Sequence, residues 1–510
     1  MSRFAVVQLN SIPGDLTGNS QRVLSALNQA LSQGDWGSDD WIVFSFGSLS
    51  GWPLEELQYN PGFVIAYDQA RKQLMDALPE SAQKTNLVFR HPGVPVPFAP
   101  WECGSGKNPI LVEMNPRPFA GNAAGRYQSE FLQLCVQKTG WGIFCNPVGG
   151  QDSLIYPGGS FVCDSTGKIV AQARRWESSI LLFDTVSGQS REWTQSDLSA
   201  DSRWQEQPVL DVVSASKQSA DAQNARLSDL YFALTLGIRD YVTKNGFRGA
   251  IVGLSGGIDS ALVAALAVGA LGREKVTGVT MPSQYSSLET RSDAQRLASL
   301  LGIEMFSLPI VEPYEAFCRS LTESLNRFDS SADPQNLTDQ NLQARIRGVY
   351  LMSLSNRSGR VVLNTSNKSE AAVGYGTLYG DLVGGLGVIS DVWKTDVWAL
   401  STWINQNAGQ ERIPVSTINR VPSAELREGQ QDRDSIPDYP VLDPIMQRYI
   451  GQGKTIEQIA ADGFKLEDVE KCVRLFNRNE FKRRQCVPGL IVSSSPLSSK
   501  KRPMTNKFFR

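Results

Sequence analysis

Leu254-Ser255-Gly256-Gly257-Ile258-Asp259-Ser260 stands between an apolar run at 250–254 and a helical stretch at 260–271. Two adjacent glycines let backbone N–H groups turn inward and approach an anion with no Cβ in the way. Ser255 and Ser260 add hydroxyl donors, and the start of a helix favours negative charge. Asp259 does not suit a bare phosphate cradle, because its carboxylate repels phosphate unless a cation lies between them. The string therefore predicts Mg2+ bridging Asp259 and phosphates. Ser-Gly-Gly alone would be an ordinary tight turn. The strand before it and the helix after it give the seven residues their meaning.

Outward from this loop, an amphipathic helix over 226–245 precedes the strand. Strands at 276–281 and 305–309 follow, with a helix at 292–301 between them. That βαβαβ rhythm predicts an α/β fold with a doubly wound parallel sheet. The chain has 510 residues, which leaves room for a further domain. In the N-terminal part, short apolar runs at 4–9, 41–46, 86–89, 109–113 and 142–145 alternate with helical stretches such as 20–33. Residues 158–173 read as a hairpin around Asp164-Ser165-Thr166-Gly167. These patterns predict a layered α/β domain over 1–186, a Ser- and Gln-rich linker or arm over 187–225, and a second domain over 226–510.

Composition narrows the function. Lys and Arg number 50 against 52 Asp and Glu, a formal charge of −2, which speaks against a dedicated nucleic-acid binder. No apolar stretch is long enough to cross a membrane. The run at 4–9 is too short for a secretory core and reads as a buried first strand, so a cytoplasmic setting is expected. Seven scattered Cys include no Cys-x-x-Cys pair and fit free thiols in a reducing compartment. The sole histidine is His91. One imidazole excludes a His pair, a Ser-His-Asp triad and a His-ligated metal cluster.

Further strings specify the chemistry: Asn341-Leu342-Gln343-Ala344-Arg345-Ile346-Arg347, Asn364-Thr365-Ser366-Asn367-Lys368-Ser369-Glu370, and Gly374-Tyr375-Gly376-Thr377-Leu378-Tyr379-Gly380-Asp381. Pro422-Ser423-Ala424-Glu425-Leu426 and Glu480-Phe481-Lys482-Arg483-Arg484-Gln485 follow in order. With the glycine loop, which resembles that of the ATP pyrophosphatases, they make residues 226–510 resemble NAD+ synthetase. The resemblance implies ATP-dependent adenylation of the nicotinate carboxylate of deamido-NAD+, followed by displacement of AMP by ammonia. Two anionic substrates must then be held together by cations. Asp259 and Glu370 are the expected Mg2+ carboxylates. Lys394, Lys368 and the cluster Lys482-Arg483-Arg484 are expected to neutralise phosphates. The resemblance implies ATP contacts from residues 254–260 (Leu254, Ser255, Gly256, Gly257, Ile258, Asp259 and Ser260), Thr365, Lys394 and Ser423. It implies deamido-NAD+ contacts from Asn341, Arg345, Glu370, Asp381 and Lys482. It also implies a homo-oligomer, at least a dimer.

The N-terminal part resembles the nitrilase-like glutaminase domain fused to such synthetases, through 5–19, 50–57 and 149–171. That family cleaves glutamine with a Cys nucleophile, a Glu base and a Lys near the oxyanion. Here the family's Phe-Pro-Glu-Leu reads Phe44-Ser45-Phe46-Gly47, so a phenyl ring stands at the base position. No Lys occurs between Lys84 and Lys107, and the family's Ile-Cys-Glu-Asp string is missing. Cys103 is the nearest thiol in a shortened segment. The expectation is therefore an inert glutaminase domain, with ammonia taken free or supplied by a separate glutaminase. The alternatives are a glutamine-hydrolysing synthetase with a relocated nucleophile, another adenylating pyrophosphatase, and a non-catalytic dinucleotide-binding scaffold.

Overall fold

Strand β1 (Arg3–Gln8) sends alternate side chains into two different cores, as a period of two residues requires. The computed structural model describes residues 2–89, 101–103, 109–120, 123–194, 222–328, 336–499 and 501–506. The chain divides into two units, 1–208 and 209–510.

In the first unit one sheet has the order β12 (Ser190–Thr194), β11 (Ser179–Asp184), β1, β2 (Trp41–Phe44) and β3 (Asn86–Val88). The other has β10 (Ile169–Gln172), β9 (Phe161–Cys163), β6 (Trp141–Phe144), β5 (Ile110–Glu113) and β4 (Trp101–Cys103). Phe4, Val6, Val43 and Leu181 of the first sheet meet Val112, Ile143 and Val162 of the second. The opposite face of the first sheet, with Ala5, Val7, Ile42 and Phe44, packs on Val23, Ala26 and Leu27 of helix Leu16–Leu31. The outer face of the second sheet, with Leu111, Phe144 and Phe161, packs on Phe131 and Cys135 of helix Ala123–Lys138. The result is the expected layered α/β sandwich of helix, sheet, sheet and helix.

The hairpin expected over 158–173 is β9 and β10, joined by a turn in which Asp164 accepts from the backbone N–H of Thr166 and Lys168. The expected linker differs. Residues 190–194 form β12, which pairs antiparallel with β11, so the first sheet passes the boundary expected at 186. Its Ser-Arg-Glu-Trp-Thr composition hid it, because an edge strand needs little apolar surface. Residues 195–221 and His91 lie outside the described residues, as does the side chain of Cys103.

The second unit holds the expected parallel sheet, in the order β15 (Glu304–Ser307), β14 (Val276–Thr280), β13 (Ala250–Gly253), β16 (Val361–Asn364) and β17 (Leu386–Gly387). Its central strands are apolar on both faces, as a sheet covered on both sides demands. Leu342 and Ile346 of helix Leu337–Ser358 cover Ile251, Val279 and Val362. Helix Ala222–Lys244 begins earlier than the 226 expected, and helix Ile258–Leu271 follows β13 after residues 254–257. From β13 the chain builds outward to β14 and β15 on one side, and later to β16 and β17 on the other. The β13/β16 boundary is thus the point where the winding reverses, and the crevice at the strand ends there is where such sheets bind ligands.

Phe4 is wholly buried between the two sheets. Phe4→Ala is expected to cost the first unit about 3–5 kcal/mol in chemical denaturation, and a loss below about 1 kcal/mol would contradict this packing.

Candidate active site

The glycine loop joins the end of β13 to helix Ile258–Leu271. Gly256 has φ +81, and a Cβ there would lie 2.3 Å from the Thr290 carbonyl oxygen, so no other residue fits without displacing backbone. The Ser255 hydroxyl accepts from Gly257 N–H at 3.2 Å, and the Ser260 hydroxyl donates to the Gly257 carbonyl at 2.9 Å. The loop is therefore shaped before any ligand arrives. In the helix that follows, every residue except Asp259 is buried. The helix gives its whole surface to packing apart from the one carboxylate that opens into the crevice.

Glu370 reaches the same crevice from β16. Asn367 caps the short helix Lys368–Val373, accepting from Glu370 N–H at 2.9 Å while Glu370 accepts from Asn367 N–H at 3.2 Å. The same Asn367 donates its amide to Asp259 at 3.0 Å. One asparagine thus fixes both carboxylates.

Lys394 is 2% exposed and lies between them. Its ammonium pairs with Asp259 and stands 3.8 Å from Glu370. Burial works to discharge this lysine, but Asp259 and Glu370 outweigh it and hold its pKa above the usual lysine range. Burial, and then the nearby Asp259 charge, push Glu370 well above the carboxylate range. Asp432 closes the group: it accepts from Tyr439 at 2.8 Å and Tyr375 at 3.1 Å, and burial raises its pKa too.

These groups face a cavity of about 830 Å³ in the second unit. Leu254, Ser255, Gly257, Ile258, Asp259, Ser260, Thr365, Lys394 and Ser423 line it, as do Asn341, Glu370, Asp381 and Lys482. Gly256 lies behind the loop against Thr290. Asp381 accepts from Thr377 N–H at 2.7 Å, and the Thr377 hydroxyl donates to Asn341 at 2.7 Å. Asp381 opens on to the cavity, yet desolvation by the protein crowded around it raises its pKa. Lys482 is held by the carbonyls of Gly374 and Gly376 at 2.9 and 2.8 Å, and burial lowers its pKa.

Several expected cations lie elsewhere. Lys368 turns away from the cavity: its ammonium binds Asp391 at 2.7 Å, Ser493 at 2.7 Å and the Ser495 carbonyl at 2.9 Å. Successive residues of a helix point in different directions, so Lys368 and Glu370 serve opposite sides of one turn. Arg483 and Arg484 spend their charge on Glu480 at 2.9 and 2.6 Å. Arg345 is exposed, donates to the Leu378 carbonyl at 3.3 Å and is outside the cavity lining, whereas Arg347 is part of it.

The donor set suits Mg2+, which is held by one or two carboxylates together with substrate phosphates rather than by a cage of protein ligands. Asp259 and Glu370 supply two carboxylates beside the glycine loop. Among the described residues, no group of three acidic, His or Cys side chains forms a cage.

A model of the NAD synthase family matches residues 230–486. The chain is 32% identical to the glutamine-dependent NAD(+) synthetase of Aquifex aeolicus, with 100% of each chain covered. The chain belongs to the NAD synthase family. It is also 41% identical to the glutamine-dependent NAD(+) synthetase of Thermotoga maritima over 72% of this chain, spanning 64% of that relative's length. The structure of glutamine-dependent NAD+ synthetase from Acinetobacter baumannii in complex with ADP superposes with a TM-score of 0.68 at 29% identity, covering 99% of this chain and 98% of that one. A Cytophaga hutchinsonii synthetase, 16% identical with a TM-score of 0.75, shares the fold.

In this synthase-family chain, Asn367 and Tyr375 stand within the strings that carry the resemblance but without an expected role, and Asp432 and Tyr439 lie outside those strings. Asn367 carries a usable signal, the Asn-x-x-Glu pattern of a capping box. Asp432 sits in an ordinary acidic loop, and only the fold brings it to Tyr375 and Tyr439.

Lys368 and Lys394 are similarly buried but hold different carboxylates. Lys394→Met is expected to lower pyrophosphate release about 10²–10³-fold, as loss of a preorganised charge does. Lys368→Ala should instead cost about 3–5 kcal/mol of stability by stranding Asp391. Equal effects of the two changes on turnover per folded molecule would contradict the assignment.

Proposed function

We propose that the chain converts deamido-NAD+ to NAD+, using ATP to activate the nicotinate carboxylate and ammonia to form the amide. The observation that carries this reading is the convergence of Asp259, Glu370 and Lys394 beside a glycine loop, in one cavity with Asn341, Asp381 and Lys482. A carboxylate oxygen of the substrate attacks the α-phosphorus, and the bond to pyrophosphate breaks. Ammonia then adds to the carbonyl carbon, the bond to AMP breaks, and one proton is released.

Ser255, the loop N–H groups and Ser260 hold the triphosphate, with Thr365 and Ser423 beside it. Lys394 shifts part of its charge from the two carboxylates to the phosphates. Mg2+ held by Asp259 and Glu370 supplies further neutralisation of the triphosphate when bound. Lys482 offers an ammonium, with its pKa already lowered by burial, to the dinucleotide, while Asn341 and Asp381 orient it. Arg345 would meet the dinucleotide only from outside the cavity lining described.

The first unit is proposed to be an inert glutaminase. Phe46 is 3% exposed and packs edge-on against Trp52 with ring centroids 4.9 Å apart, in the position where the family carries its base. Of the thiols described in this unit, Cys135, Cys145 and Cys163 are 0%, 1% and 0% exposed. Cys145 donates to the Val7 and Val43 carbonyls, and burial raises its pKa, opposing thiolate formation. The Aquifex and Thermotoga relatives are named glutamine-dependent. This chain is proposed to use free ammonia, or ammonia from a separate glutaminase.

With deamido-NAD+, ATP and Mg2+, purified protein is expected to form NAD+ from ammonium and to show only background formation from glutamine. Equal turnover on glutamine contradicts the inert first unit. No AMP or pyrophosphate with ammonium contradicts the synthetase reading itself.

A further inference from the structure

Two arginines in the cavity wall have no role in the reaction as described above. Arg291, on helix Leu288–Leu301, donates through Nη2 to the Ser283 carbonyl at 2.8 Å. Arg347, on helix Leu337–Ser358, donates through Nε to the Met281 carbonyl at 3.0 Å. Two separate helices therefore brace their guanidiniums on one short loop, 281–283, which leaves the C-terminal end of β14. Both arginines line the cavity and are partly buried.

Neither forms an ion pair among the described residues. Other buried cations of this unit do: Arg239, Lys368 and Arg483 each hold a carboxylate, at 3.0, 2.7 and 2.9 Å. Among the described residues, the buried Nε of Arg291 also has no hydrogen-bond partner. Burial pulls the pKa of Arg347 down to about 10, with Asp381 and Glu425 opposing that pull. A guanidinium stays charged at neutral pH, so a half-buried one without a carboxylate costs stability until an anion meets it. Its remaining N–H groups form a fork that suits phosphate oxygens.

We infer that Arg291 and Arg347, braced on the 281–283 loop, form a second anion-binding wall of the cavity that takes a phosphate group of a nucleotide substrate. This rests on the functional reading above in taking the cavity as the substrate site. ATP and deamido-NAD+ both carry the required chemistry, and the test separates them.

Arg291→Met and Arg347→Met are made in the full chain, with Arg347→Lys as the charge-keeping control. Melting temperature and calorimetric affinity are measured with Mg-ATP, deamido-NAD+ and inorganic pyrophosphate. The ligand-free melting temperature should stay level or rise, because an uncompensated charge has been removed. Affinity for one nucleotide should fall about tenfold or more per Met change, with part retained in Arg347→Lys, as expected for a charge-assisted contact. A fall confined to Mg-ATP assigns the wall to ATP, and one confined to deamido-NAD+ assigns it to the dinucleotide. Affinities for both nucleotides within about twofold of wild type overturn the inference. So does a lowered ligand-free melting temperature with normal affinity of the folded fraction, which marks a structural brace. If wild-type protein binds neither nucleotide, the functional reading fails instead. Pyrophosphate then decides the wall alone: binding lost in the Met variants supports it, and binding retained overturns it.

Discussion

The second unit is organised around one buried ammonium between two carboxylates. Lys394 touches Asp259 and stands 3.8 Å from Glu370, with the first of these groups on one helix, the second on another and the third on a third. Two carboxylates this close to each other repel unless a cation stands between them, and burial magnifies that repulsion. A unit-charge pair 4 Å apart at an effective dielectric of 20 is worth about 4 kcal/mol, so the arrangement holds only if the lysine is fixed as firmly as the acids. It is fixed: Lys394 N–H donates to the Ser369 hydroxyl at 2.9 Å, and Asp443 joins Ser369 to Thr395 N–H. The helices that bear Glu370 and Lys394 are thus tied together at their first turns.

The sheet explains why the acids meet at all. β13 and β16 are neighbouring parallel strands with Val252 opposite Leu363, so the loops that follow them emerge side by side. Parallel neighbours lie about 4.8 Å apart, which is the spacing needed to bring Asp259 and Glu370 into one crevice. Asn367 then refines this spacing by capping one helix and bonding the acid on the other. Helices from 439 to 478 pack Leu442, Ile445, Val473 and Phe476 beneath Ala372 and Val373, giving the Glu370 helix a rigid floor. Fold and charge balance are therefore one design: the same winding reversal that orders the strands creates the ion cluster.

Much of this was legible in the residues. The glycine loop, the strand before it and the helix after it announce a ligand site at a strand end, because only Gly fits at 256 and only Asp259 is left over from packing. Strands with period-two or wholly apolar patterns were legible for the same reason, since burial leaves a mark in sequence. Cations were not. Lys368 and Lys394 look alike in a string, and only the direction of each side chain on its helix sends one to Asp391 and the other to Asp259. Polar edges such as β12 and long-range partners such as Asp432 leave no local pattern, so they emerge only from the assembled fold.

The proposed reaction turns on attack of the substrate carboxylate at the α-phosphorus within this charge cluster. Its most direct test is the fate of oxygen-18 placed in the nicotinate carboxylate of deamido-NAD+, followed by mass spectrometry of the products of one turnover with ATP and ammonium. One labelled oxygen in AMP, with the other in the new amide, is the result expected. Label in pyrophosphate, or AMP without label, would contradict it.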